Sequence, residues 1–109
     1  MFKHHLPQTV ISPMDLVSNV QVLYNGGAVP GEYAVARLDW NGQPTLGIRW
    51  NIAEREASNA DKVSGKIPCM GEPNSRGYPT WFILPDAFLQ NIMAGGDVAD
   101  AIREYLEEE

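Results

Sequence analysis

The chain reads as an α+β domain: a small, mostly antiparallel sheet of about four strands with two C-terminal helices packed on one face. Three observations predict it. Short β-rich runs separated by Gly-Gly and Asn-Gly turn signals occupy residues 20–50. A continuous apolar run at 80–84 follows a long, turn-rich segment. Two amphipathic stretches at helical spacing then close the chain. At 109 residues the chain is a single domain, 1–109, large enough to bury a core without disulfides.

Residues 1–13 contain Pro7 and Pro13 and show no periodicity, so a loosely ordered arm is expected there. Met14 to Asn19 is ambiguous and allows one helical turn. Residues 20–24 alternate as a strand and stop at Asn25-Gly26-Gly27. A hairpin follows, 33–39 with 45–50. Asp39-Trp40-Asn41-Gly42 suits a type I turn with a glycine bulge, and a three-residue loop pairs even positions with even positions. Ala34, Ala36, Leu38, Leu46, Ile48 and Trp50 then share the core face. Tyr33, Val35, Arg37, Asp39, Gly47 and Arg49 share the other. A two- or four-residue loop would mix the two sets, which argues against it.

Residues 52–79 form a long loop, in which 53–62 suits a short helix and Gly65, Pro68, Gly71, Pro73, Gly77 and Pro79 interrupt the rest. A connection of this length in a compact domain is usually functional or mobile. Residues 80–84, bounded by prolines, read as a strand buried on both faces and central in the sheet. Pro85-Asp86 starts a helix with Asp86 as its cap and Phe88, Leu89, Ile92 and Met93 as its stripe. Gly95-Gly96 ends it, and Asp97 caps a second helix carrying Val98, Ala101, Ile102, Tyr105 and Leu106.

Charge narrows the function classes. Residues 1–85 hold seven acids and seven bases, whereas 86–109 hold seven acids against Arg103, so the net charge of −6 sits at the C-terminal end. Nucleic acid is disfavoured as a partner, because phosphate contact needs a basic face. A basic protein partner for the acidic end is one expectation; a solvated helix end that aids solubility is the plainer one. No apolar run approaches the ~18 residues of a membrane span, and the N-terminus lacks a secretory apolar core, so cytoplasmic is the default location. A lone cysteine, Cys69, excludes an internal disulfide and multi-cysteine metal sites.

The loop–strand junction at 71–85 is where a polar site would stand against a core. Asn74 and Ser75 suit a turn, Gly77 permits close backbone approach, and Arg76 offers a planar fork to a carboxylate or phosphate. Arg49 on the hairpin's polar face would join it, with Tyr78 as an aromatic wall near Trp40, Trp50 and Trp81. The expected ligand-binding residues are thus Arg49, Asn74, Ser75, Arg76 and Tyr78; Arg76 as a tie to a loop carbonyl or to Glu72 is the structural alternative. No catalytic or metal motif stands out and no cofactor is expected. Glu54 and Glu56 are two apart, His4 and His5 lack a third ligand, and a Cys69–His pair would need the arm to fold back.

The runs 46–51 and 75–85, separated by a polar loop, resemble a pattern in small hypothetical bacterial proteins, including some encoded by integron gene cassettes. The resemblance spans roughly 31–88 and implies a free-standing bacterial cytoplasmic protein, with no activity attached. Together these readings favour a non-catalytic binding or adaptor domain for a small anionic or aromatic ligand or a protein partner, with a homodimer through an exposed sheet edge also expected. Two other classes stay open: a small hydrolase or transferase using Ser75 or Cys69, and an interaction protein working through its acidic surface.

Overall fold

The structure, a computed structural model, describes residues 1–108. Four strands form an antiparallel sheet in the order β1 (Val17–Asn25), β2 (Tyr33–Trp40), β3 (Gln43–Trp50), β6 (Phe82–Leu84). Between β3 and β6 run a 3-10 turn (Glu54–Ser58), α1 (Ala60–Val63) and a two-stranded ribbon of β4 (Asn74–Ser75) and β5 (Tyr78–Pro79). Helices α2 (Asp86–Ala94) and α3 (Asp97–Glu107) follow. The α+β class is the expected one. The long connection is not structureless: it carries the expected helical piece and the ribbon.

The β2–β3 hairpin departs from expectation, and the departure decides the molecule's faces. Trp40 pairs with Gln43, so the loop is the two-residue Asn41-Gly42. Both residues have positive φ, 51° and 80°, the geometry of a type I′ turn, whose twist matches that of the strands. Even positions of β2 therefore pair with odd positions of β3: Ala34 with Arg49, Ala36 with Gly47, Leu38 with Thr45. A one-residue slip inverts a strand. Leu46, Ile48 and Trp50 leave the expected core face, and Gly47 and Arg49 enter it.

The core gathers Val10, Val17, Ala34, Ala36, Leu38 and Trp81, with Val20, Trp40 and Ile83 packed against it. Small side chains at 34, 36 and 47 make room for Trp81, which lies over Gly47. The N-terminal arm closes this side and is not a loose appendage. Pro7 and Val10 are fully buried, the Trp81 indole N–H donates to the Val10 carbonyl at 2.8 Å, and His4 and Ser12 form parallel bridges with Cys69 and Thr80. Sequence periodicity could not reveal this, because the arm's partners lie some seventy residues away.

Two further expectations change. Residues 80–84 do not form a central strand: β6 is a three-residue edge strand, and the centre belongs to β2 and β3. Its apolar run is divided between faces, with Trp81 and Ile83 in the core and Phe82 on the outside, 60% exposed. β1 is longer than expected and bulged, shifting register between Ser18 and Gln21 and between Val22 and Tyr24. Asn19, at φ 53° in the first bulge, donates its amide to Asp39 at 2.7 Å.

The helix pair packs chiefly on itself. Gly95 at φ 80° ends α2, and the Asn91 side-chain carbonyl accepts the Val98 and Ala99 amides, so α2 caps α3. No residue of α2 is buried, and only Ala99 is in α3. None of the helices is long and apolar enough to cross a membrane among the described residues.

Candidate functional site

The hairpin register assembles two rows across the outer face of the sheet. Side chains of directly opposed residues lie on one face. One row runs Tyr33, Trp50, Glu72, since Tyr33 pairs with Trp50 and Trp50 bridges Glu72. The next runs Tyr24, Val35, Ile48, Phe82. The Tyr24 and Tyr33 rings lie 4.9 Å apart between centroids. Tyr33, Ile48, Arg49, Trp50, Glu72, Pro73 and Phe82 line a concavity of about 530 Å³. That volume falls in the range of small-molecule sites, and the lining is almost entirely apolar. Trp50 is 52% exposed and Phe82 60%, and with Tyr33 and Ile48 they line one concavity rather than standing singly on the surface.

Glu72 is placed beside Trp50 by a clamp on the loop preceding it. The Trp50 amide donates to the Glu72 carbonyl at 2.7 Å, and the Glu72 amide returns a bond at 3.1 Å. On the core side the Arg49 guanidinium donates to the carbonyls of Met70 (2.6 Å), Thr80 (2.5 Å) and Pro73 (3.3 Å). The Glu56 carboxylate accepts the amides of Met70, Gly71 and Ala53, at 2.8, 2.8 and 2.9 Å, and pairs with Lys62 at 2.8 Å. One buried cation thus collects the loop's carbonyls and one buried anion its amides. Gly71, at φ 69°, lies in the middle; a Cβ there would overlap the Trp50 carbonyl and the Arg49 Nη2.

Burial sets the protonation of these groups. Desolvation lowers Arg49 to about 10, with Glu56 opposing it. For Glu56, burial alone would raise the carboxyl; Lys62 and the three amides outweigh it and hold the group below its ordinary range. Burial, followed by the Glu56 charge, pushes the Cys69 thiol up. His4 is lowered by desolvation and then by Arg49 and His5.

The expected site residues are divided by this geometry. Asn74, Ser75, Arg76 and Tyr78 do come together, on the β4–β5 ribbon. Arg76 (φ 54°) and Gly77 (φ 83°) form its turn. Arg76 and Tyr78 are exposed there, and the Asn74 amide donates to the Gly71 carbonyl at 3.1 Å. Arg49 does not join them. It is 2% exposed, on the core side, and its guanidinium serves backbone carbonyls. The structural tie expected of Arg76 is made by Arg49 instead.

The arm does fold back to put His4 and Cys69 side by side on the backbone. Cys69 is nevertheless fully buried, and its thiol faces Glu56. Ile48 and Phe82 lie outside the expected site, Tyr33 and Glu72 are at its margin without an assigned contact, and Trp50 is expected on the core face as well as near the site. The signal for them is the Asn41-Gly42 dipeptide, the strongest two-residue hairpin signature, which reverses β3 when read as a type I′ turn. Among the described residues no three His, Cys, Asp or Glu side chains cluster as metal ligands. No known protein family, curated protein or solved structure matches the chain.

Proposed function

We propose that this protein is a non-catalytic binding module that takes a small, largely apolar ligand on the outer face of its sheet. The observation carrying this reading is the concavity of about 530 Å³ lined by Tyr33, Ile48, Trp50 and Phe82. Aromatic walls supply large contact area at little conformational cost, and the paired strands behind them hold that area rigid. The alternative of a Cys69 nucleophile has less support, since the thiol is buried and its pKa raised. Ser75 is exposed on a ribbon with no general base hydrogen-bonded to it among the described residues.

Titration with N-phenyl-1-naphthylamine, a neutral apolar fluorophore, tests the reading. Saturable enhancement is expected. Trp50→Ala and Phe82→Ala should each weaken it by roughly tenfold, about 1.4 kcal/mol, with little change in melting temperature because both side chains are half-exposed or more. Absence of binding, or binding indifferent to both substitutions, would refute it.

One observation favours a second reading, in which α3 docks a basic protein. Val98, Ile102, Tyr105 and Leu106 form an exposed stripe on that helix beside Asp100, Glu104 and Glu107. Binding to such a partner would weaken with salt and be lost when those acids are neutralised.

A further inference from the structure

We infer that the ligand of the outer-face concavity is a small free organic cation, a tertiary or quaternary ammonium on an apolar body. This rests on the binding reading above and specifies its ligand class. Aromatic ring faces carry negative quadrupole potential and attract ammonium groups, which shed weakly held water on entering. Three such rings, of Tyr33, Trp50 and Phe82, meet in one concavity. The row that contains Trp50 ends on a carboxylate, Glu72. A second, adjoining concavity shares Trp50 and Glu72 and adds Glu54 and Arg55.

The charges around Trp50 favour the same sign of ligand. Glu54 and Glu72 set two negative charges against Arg55, whose guanidinium sits on Glu72 at 2.6 Å while remaining 73% exposed. An exposed pair of this kind contributes little stability and competes weakly with an incoming cation. The arginine in the lining of the first concavity, Arg49, turns its guanidinium to the core, where three carbonyls and the nearby Glu56 charge meet it. An anion entering this concavity would meet aromatic rings and the Glu72 residue and find no unengaged cationic side chain in its lining. The anionic ligand expected from two converging arginines loses its basis once Arg49 lies on the far face.

Competition for bound N-phenyl-1-naphthylamine by choline and by its neutral isostere 3,3-dimethylbutan-1-ol tests this on the intact chain. Choline is expected to displace the fluorophore at about tenfold lower concentration. Glu72→Gln should reduce that preference to the share the rings supply, read as the ratio of the two competitors' midpoints so that any change in fluorophore affinity cancels. Arg55→Ala, which frees the Glu72 carboxylate, should strengthen choline binding severalfold, a gain that a merely structural role would not produce. Equal displacement by the two isosteres would overturn the cation assignment while the apolar-ligand reading stands; a preference that Glu72→Gln leaves at full strength would overturn the part assigned to the carboxylate. Failure of the fluorophore itself to bind would remove both. A phosphatidylcholine vesicle or trimethyl-lysine peptide that competes where free choline does not would overturn the small-molecule source.

Discussion

At the scale of single residues, the site depends on two buried charges, Arg49 and Glu56, whose charged groups are spent on the backbone behind it. Arg49 gathers the carbonyls of Met70, Pro73 and Thr80, and Glu56 gathers the amides of Met70 and Gly71. Burying a charge is costly unless it is hydrogen-bonded; Arg49 bonds through its two terminal nitrogens while its Nε has no partner among the described residues, and Glu56 bonds through both oxygens, to three backbone amides and to Lys62. Because the folded protein lowers the Glu56 pKa, this group's contribution is fully present above its ordinary carboxylate range. It is lost as pH falls through the depressed folded value. Glu56→Gln should therefore cost about 2–3 kcal/mol at neutral pH. It should also flatten the acid limb of a urea-midpoint titration against pH; an unchanged acid limb would show that Glu56 is not the group responsible.

At the scale of elements, the β2–β3 turn determines which side chains meet solvent. Asn41 and Gly42 adopt positive φ, which costs an ordinary L-residue roughly 1–2 kcal/mol. Gly42→Ala should lower stability by about that amount, read from chemical denaturation. Because the turn also sets register, the same variant should disturb the fluorescence of Trp50 at the other end of the hairpin. A loss of stability with Trp50 undisturbed would mean that cross-strand packing, rather than the turn, holds the register.

At the scale of the whole molecule, the core face is closed by the chain's beginning and its middle. Deleting residues 1–12 removes Pro7 and Val10 from the core and strips the Trp81 indole of its acceptor. The expected loss is about 3–5 kcal/mol or more, a large share of the 5–15 kcal/mol typical of a domain. Truncation after residue 85 removes both helices, which pack chiefly on each other, and should lower the melting temperature much less. The reverse order in a thermal scan would show that the helices, not the arm, protect the core.

The strand-rich first half, the two C-terminal helices, their glycine stop and the loop–strand junction were all legible from the sequence, because each is set by neighbours a few residues apart. Asn74, Ser75, Arg76 and Tyr78 were legible for the same reason as a polar, turn-rich loop, whereas their pairing as the β4–β5 ribbon was not. What only the tertiary structure decided was the side of the sheet on which each residue falls. That depends on register parity, so one residue of loop length moved Arg49 into the core and Trp50 out of it. It also decided what covers the core, since contacts between Val10 and Trp81, or Arg49 and Met70, join segments whose proximity no local pattern encodes. The outer aromatic face belongs to this second category: its residues are plain in the sequence, and their convergence is a property of the fold.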